Sequence, residues 1–523
     1  MPARKHNRFI RTLLVPMALW LVQVINAKEF SVAEFGAMGD GETPATKAIQ
    51  AAIDAAFAQG GGRVIVPQGN FVTGTLRLKS NVDLHLEAGG TLLGSTNWAD
   101  YEGNKRCHGW VTLLSAENSQ NIQLSGKGTI DGRGLLLIQD IKEKVQAGLI
   151  KDSFHRNRPD HEVRPPLVLF SDCDGVCIRD ITLTNGSGWT EVYKNCTNLL
   201  ADGIKVRAFS YWENDGIDLI DCKSAILTNL DIRSEDDGIC LKSDDRATCC
   251  ENISVINCKV SSGSSAFKLG TASFGGFKNI RVKNLSIYDT RRSALSFFSV
   301  DGGAIENIDV RDVRAINTSG SIFIRLGQRN QAAPPGTIDG IHFENVDIQV
   351  PADGKKTSPY VMTLDLPPQS ERGQPINPLP SAITGLPGHP VRNIVLDQVK
   401  IRYFGGGTEA RAFVSTAALA TVPEKARDYP EIGMFGELPA SAFYVRHADG
   451  IVFNQASVSF LKSDFRPPFV FDDAAKITLG QVEVRDKKEA PIVVFNDVTE
   501  DSVKNLVAPV NPDLAIKRQS SLP

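Results

Sequence analysis

The feature that most narrows the folds open to this chain is a phrase that occurs twice within residues 212–243. Asn214-Asp215-Gly216-Ile217 returns as Asp236-Asp237-Gly238-Ile239, and Leu219 is answered by Leu241. Asp215 and Asp237 stand 22 residues apart. A repeat that short, ending in a few alternating apolar residues, is one coil of a solenoid. Stacked coils of parallel strands place equivalent residues about 4.8 Å apart. Asp215 is therefore expected over Asp237, where each carboxylate disfavours the charge of the other. A single Asp-Gly is an ordinary turn, but a stacked pair with Asp236 beside it reads as chemistry.

A second phrase extends the same rhythm. A polar or small residue precedes apolar residues split by one position, as in Asn121-Ile122-Gln123-Leu124, Gly175-Val176-Cys177-Ile178, Asn198-Leu199 and Ser224-Ala225-Ile226. It continues as Asn252-Ile253, Asn279-Ile280, Asn307-Ile308, Gly340-Ile341, Asn393-Ile394 and Gly450-Ile451. Period-two alternation inside a period in the twenties predicts strands with one face on the solenoid axis. Asparagine ahead of each strand suits a left-handed turn residue. The first phrase carries forward too. Asp237-Gly238-Ile239 aligns with Ser265-Ala266-Phe267, Ser293-Ala294-Leu295 and Ser321-Ile322-Phe323. Alternation then buries Ile217, Ile239, Phe267 and Leu295 and turns Asp218, Cys240, Lys268 and Ser296 outward. The glycines are expected to bend the chain so that the aspartates precede the regular strand.

Ahead of the coils, a strand is expected over 28–32, then one helix. Thr46 is read as its cap, with Ile49, Ala52, Ile53 and Phe57 at helical spacing and Gly60-Gly61-Gly62 ending it. Short strands follow over 63–66, 71–78, 82–86 and 91–93. One helix before a run of strands suits a cap on the open end of a solenoid. The fold expected is all-β, a parallel β-helix with an N-terminal capping helix. One domain is expected over 28–510, with inserted loops around 351–440 rich in Gly, Pro and charge, and a frayed tail over 511–523.

A net charge of −3 and the lack of a long basic run exclude a nucleic-acid footprint. Lys5, Arg8 and Arg11 lead into a short apolar run over 13–25, ending at Ala27. Residues 1–27 read as a secretory signal, because Pro16 and Gln23 break the run and it falls short of the ~20 residues a membrane span needs. A secreted or periplasmic chain with no membrane span is expected. Nine cysteines leave at least one unpaired within the chain. Cys196, Cys222 and Cys250 read as small buried residues of the stack, and no spacing suggests zinc.

Three carboxylates in one patch can protonate a leaving oxygen and activate water opposite it. Asp236 is displaced by one position from the Asp215/Asp237 stack, so it is assigned as general acid, with Asp215 and Asp237 holding the water. Neighbouring negative charge keeps the acid protonated. Lys268 and Arg292, with Asp218 and Lys242, are the candidate substrate contacts. Trp189, Tyr193 and Trp212 are aromatic candidates for stacking on a substrate ring, although such positions are more often core.

The chain resembles glycoside hydrolase family 28, the polygalacturonase family. The resemblance rests on Phe35-Gly36-Ala37-Met38-Gly39-Asp40-Gly41 at the entry and, more specifically, on Glu213-Asn214-Asp215-Gly216 and Asp236-Asp237. It implies a right-handed parallel β-helix and an inverting hydrolase in which Asp236 is the acid and Asp215 and Asp237 activate water. The chain departs from the family in three places. Asn214 stands where the family has threonine. Ser264-Ser265-Ala266 stands where it has Gly-His-Gly, and the stretch from Arg291 to Ser296 lacks its Arg-Ile-Lys. Arg292 or Lys268 could hold an acidic sugar in place of that motif, and His389 or His447 could stand in for the histidine. The resemblance implies a poly- or oligosaccharide substrate from pectin or a related acidic polymer, with no cofactor and no metal; a monomer is expected. Two other readings remain: a Ca²⁺-dependent lyase using Asp215, Glu235, Asp236 and Asp237 as ligands, and a catalytically silent sugar-binding solenoid.

Overall fold

The computed structural model describes residues 28–101, 110–152, 158–351, 377–409 and 414–520. The export segment expected over 1–27 lies outside them, as does part of the inserted region. The chain winds as a right-handed parallel β-helix. Its ladders are parallel, for example Ile217–Ile220 on Ile239–Ser243 and Cys250–Ser262 on Gly276–Ser299.

The repeated phrase forms one continuous column. Ile122, Val176, Leu199, Ala225, Ile253, Ile280, Ile308, Ile341, Ile394 and Ile451 are successive register partners. All ten are buried, and each aliphatic side chain removed from water contributes on the order of 1.5–3 kcal/mol. The residue before each turns the chain through positive φ: 53° at Asn121, 57° at Asn252, 56° at Asn279 and 85° at Gly340. Asparagine tolerates that geometry, and its amide adds a bond to the next coil. Asn279 Nδ2 donates to Asn252 Oδ1 at 3.0 Å, and Asn307 Nδ2 donates to Asn279 Oδ1 at 2.6 Å.

The capping helix α1 spans Thr46–Ala58 and buries Ile49, Ala52, Ile53 and Ala56. Two expectations about it change. Ala45 occupies the cap position with no side-chain bond. Thr46 Oγ1 instead accepts from Gly74 N at 2.9 Å, tying the helix to the coil behind it. Phe57 is 46% exposed, its ring meeting Lys79 rather than the core. A second helix, α2 over Gly134–Gln146, was not expected; it buries Leu137, Ile138 and Ile141.

The expected column of Ser265, Ser293 and Ser321 holds until its last member. An irregularity after Thr290 pairs Ser293 with Gly320 and Leu295 with Ile322, one residue short of the even 28-residue spacing. The tail is not frayed throughout, since Ile516–Gln519 pairs with the strand Val493–Val503. Cys196, Cys222 and Cys250 are buried, and all eight described cysteines are free thiols. The sulfurs of Cys196, Cys222 and Cys250 bond to carbonyls of the coil before, as from Cys222 to Tyr193 O at 3.3 Å.

One apolar core runs along the axis. A second lies outside it, on the outer face of the sheet that contains Ile217–Ile220 and Ile239–Ser243. There Phe298, Phe323, Ala382, Tyr444, Val470 and Val494 point away from the axis and are covered by Leu419, Val422, Ile432, Phe435 and Leu438. The inserted region after residue 414 is thus a packed layer on the helix wall. Alternation explains it: Phe297 goes to the axis while Phe298 meets the insertion.

Candidate active site

The carboxylates gather at the ends of two turns that lead into Ile217–Ile220 and Ile239–Ser243. Their stacking is held by main-chain bonds: Gly216 N donates to Asp237 O at 2.9 Å, and Ile217 N donates to Gly238 O at 3.0 Å. The glycines serve close approach. A Cβ on Gly216 would lie 2.4 Å from Gly238 O, and one on Gly238 would lie 2.4 Å from Val260 Cγ1. Any other residue would push the coils apart and lift Asp215 off Asp237. Asn214 locks the first turn, accepting from Ser210 N at 3.0 Å and donating to Gly188 O. The second turn is fixed through the carbonyl of Asp236, which accepts from Ser262 Oγ at 2.6 Å and Ser234 Oγ at 2.9 Å.

The three aspartates have different surroundings. Asp237 is buried and held by two donors, Lys268 Nζ at 2.7 Å and Ser265 N at 3.1 Å. Burial alone would raise its carboxyl, but Lys268, Lys242 and Arg292 outweigh that and hold it below the usual aspartate value. Asp236 is partly exposed, and its carboxylate has no hydrogen-bond partner among the described residues. Desolvation, then the neighbouring Asp237, push it upward. Asp215 is pushed well upward by burial and by Asp218, against the pull of Lys242. Glu235, just before the pair, is raised to about 8 by burial and by Asp236.

All seven residues picked from the sequence fall in this one patch, but they do not all face a substrate. Asp218 is fully buried, Lys242 is 8% exposed and Lys268 is 3% exposed. Alternation does turn Asp218 and Lys268 off the axis, but what they meet there is protein. Lys242 Nζ bridges Asp218 and Asp215, at 3.2 Å from the latter. Lys268 Nζ bridges Asp237 and the Tyr429 hydroxyl at 3.1 Å. The two lysines lie behind the carboxylates and set their charge, so Asp218, Lys242 and Lys268 are corrected from substrate contacts to groups that hold the carboxylates. Both ammonium groups are raised well above the ordinary lysine value: burial opposes the charge, but Asp218 for Lys242 and Asp237 for Lys268 outweigh it. Arg292 remains at the surface, 3.2 Å from Glu431. With Lys242 Nζ already on Asp215, the set Asp215, Glu235, Asp236 and Asp237 is a poorer calcium cage. Among the described residues no group of three or more His, Cys, Asp or Glu is arranged to hold a metal ion.

Four residues at this site were not singled out from the sequence. Tyr429 and Glu431 arrive from the insertion, and nothing in their local pattern announces contact with Lys268 and Arg292. Trp110 and His161 pack with Trp189 on the other side. Trp189 is close to the carboxylates, its ring 3.9 Å from Lys242 Nζ. Tyr193 is core, bonded to Glu191, and the Trp212 ring faces Arg158. Neither candidate histidine is placed among the aspartates. His447 is buried between Asp473 and Glu424, and His389 pairs with Leu386 in a turn.

A right-handed β-helix with a carboxylate cluster tuned in both directions on one outer sheet defines the class: a parallel β-helix with an acidic centre on its wall. The description "Glycosyl hydrolases family 28" matches residues 59–296, the stretch that holds all seven site residues. Over that stretch the chain is similar to the polygalacturonase-like family. It is 29% identical over 251 residues to an exo-poly-alpha-D-galacturonosidase of Dickeya chrysanthemi, covering 40% of this chain and 41% of that protein. It is 24% identical over 325 residues to an exopolygalacturonase of Zea mays, covering 61% and 67%. The chain spans about half the length of the curated relatives it matches. The structure of a hyperthermoactive exopolygalacturonase from Thermotoga maritima superposes with a TM-score of 0.56, at 24% identity over 72% of this chain and 88% of that one. That likeness supports the fold. No helix among the described residues is long and apolar enough to cross a membrane.

Proposed function

We propose that this protein is an exported glycoside hydrolase that cleaves pectic or related acidic polysaccharide with inversion, through Asp236, Asp237 and Asp215. The observation that carries the reading is the contrast between two adjacent carboxyls. Asp236, unpartnered and raised, keeps a proton to give; Asp237, held by Lys268 and Ser265 N and lowered, is ready to take one. Asp236 protonates the glycosidic oxygen as the bond from the anomeric carbon to that oxygen breaks. Water attacks the same carbon from the opposite face and loses a proton to Asp237, with Asp215 orienting it. The configuration inverts, Asp236 ends ionised and Asp237 protonated, and solvent restores both. Arg292 is the surface cation that would receive a uronate carboxylate, exchanging it for Glu431. The family match over residues 59–296 and relatives named for polygalacturonate support the substrate class. The basic and apolar run within 1–27 supports export, and the protein is expected to act as a monomer.

The test is a digest of homogalacturonan, rhamnogalacturonan and their oligomers, with and without chelator. The reading requires saturated products that survive chelation, carry the inverted anomeric configuration when first released and vanish in Asp236→Asn. Ultraviolet-absorbing products lost on chelation would replace it with a metal-dependent lyase.

A further inference from the structure

Beside the carboxylates, on the side of the earlier coils, the outer sheet carries a small apolar strip of Leu169, Val192 and Ile220. Two indoles lie on it, Trp110 and Trp189, with ring centroids 5.1 Å apart and planes at 68°. The His161 ring completes the group, 5.2 Å from Trp110 and edge-on to it, and 6.2 Å from Trp189 with planes only 21° apart. These rings come from three separate stretches of chain. Both indoles keep part of their surface in solvent, and the His161 side chain is 46% exposed. Neither indole N–H has a partner among the described residues, and neither is buried; Trp212, in contrast, has a buried indole N–H without a partner. The group is continuous with the active site, because Lys242 lies over Trp189 at 3.9 Å and the same ammonium holds Asp218 and Asp215.

We propose that Trp110, Trp189 and His161 form a sugar-binding subsite, taking a pyranose ring of the substrate chain next to the unit being cleaved. A pyranose presents C–H groups on one face and hydroxyls around its rim. Partly exposed indoles match the first and free indole N–H groups match the second. The His161 imidazole, held by Asp160 at 2.7 Å, adds a ring edge with a fixed orientation. A folded solenoid has no need of exposed indoles on an outer strip this small. On the other flank of the carboxylates the same sheet face is sealed by the insertion, so the platform supplies the direction in which a chain can continue. This inference rests on the substrate reading above and goes beyond it by assigning residues that the mechanism does not use.

The experiment separates the two. Binding of galacturonic-acid oligomers two to five units long is followed by tryptophan fluorescence on Asp236→Asn protein, with and without Trp110→Ala. Steady-state rates are then measured for the single Trp110 variants. The expected result is quenching by wild-type-like binding, weakened about ten-fold by Trp110→Ala for the longer oligomers, with the loss in KM rather than kcat. Trp110→Tyr, which keeps a stacking face, should recover most of the affinity. A melting curve identifies any variant that fails to fold, and His161→Ala, at an exposed position, then carries the test with a smaller loss. Unchanged affinity and KM in Trp110→Ala would overturn the subsite, as would a loss in kcat alone or the absence of any oligomer binding. If the wild-type protein binds oligomers through Trp110 but cleaves none, the subsite stands and the hydrolase reading falls.

Discussion

The two flanks of the carboxylate cluster are built on one sheet face yet finished in opposite ways. Towards the earlier coils, three aliphatic side chains carry indoles that remain partly in water. Towards the later coils, larger residues such as Phe298 and Phe323 are covered by Phe435, Ile432 and Leu438 of the insertion. The backbone geometry is the same on both sides, so the difference lies in the side chains that alternation turns outward. Where aromatic side chains such as Phe298, Phe323 and Tyr444 stand among them, a second apolar layer packs down; where only Leu169, Val192 and Ile220 do, the apolar partners packed on them are two part-exposed indoles. Between the flanks Asp236 and Arg292 keep part of their surface in solvent, while Lys242 lies against Trp189 and Lys268 against Tyr429.

The largest test of this contrast is at the centre. Asp236→Asn should lower kcat by about 10² to 10⁴, the usual worth of a positioned acid, while leaving the melting temperature close to wild type. An equal melting curve with full activity would remove Asp236 from the mechanism. Lys268→Met strikes the walled side. It leaves Asp237 buried without its cation, which costs about 3–5 kcal/mol, visible in urea titration. The acid limb of the remaining activity should move to higher pH, because the lysine no longer holds Asp237 low. In the intact protein the sign follows from the two shifts. Asp237 must be ionised and Asp236 protonated, so the rate should fall below a pH under the ordinary aspartate value and again above a pH over it. A profile that rises continuously into acid would contradict the assignment.

Phe435→Ala should loosen the insertion at a cost of about 3 kcal/mol, measured by limited proteolysis within 414–440 while the axial core stays protected. If proteolysis is unchanged, the second apolar layer is not what holds the insertion down. The smallest expected effect is from Glu431→Gln. Exposed ion pairs contribute about 0–1 kcal/mol, so stability should hardly move. KM for an acidic oligomer should fall a few-fold as Arg292 is released, and no change in KM would argue against Arg292 as a substrate contact.

Much of the helix was legible before folding. The column from Ile122 to Ile451 and the positive-φ residues before each member follow from the repeat, because each coil reuses one backbone solution. The aspartate stack followed for the same reason. What misled were positions where tertiary contact overrides a local pattern. Thr46 has a capping residue's chemistry but bonds across to Gly74. Phe57 falls at helical spacing yet faces Lys79. Ser321 slips by one residue because an irregularity upstream absorbs a position. Helix α2 lies outside the coil repeat, and Leu137, Ile138 and Ile141 carry its spacing.

The site divides along the same line. Sequence alone determined which carboxylates stack and which residue stands one step aside, because a repeat sets register and register sets proximity. Only the tertiary structure decided which charges are buried and which stay exposed. Lys242 and Lys268 are outward by alternation, but they are buried once Trp189 and Tyr429 lie over them. Tyr429 is 161 residues from Lys268 in the chain, and no local period connects the two. Contacts that one coil repeats from the last are written in the sequence; contacts made when a distant segment folds onto the wall are settled only by packing.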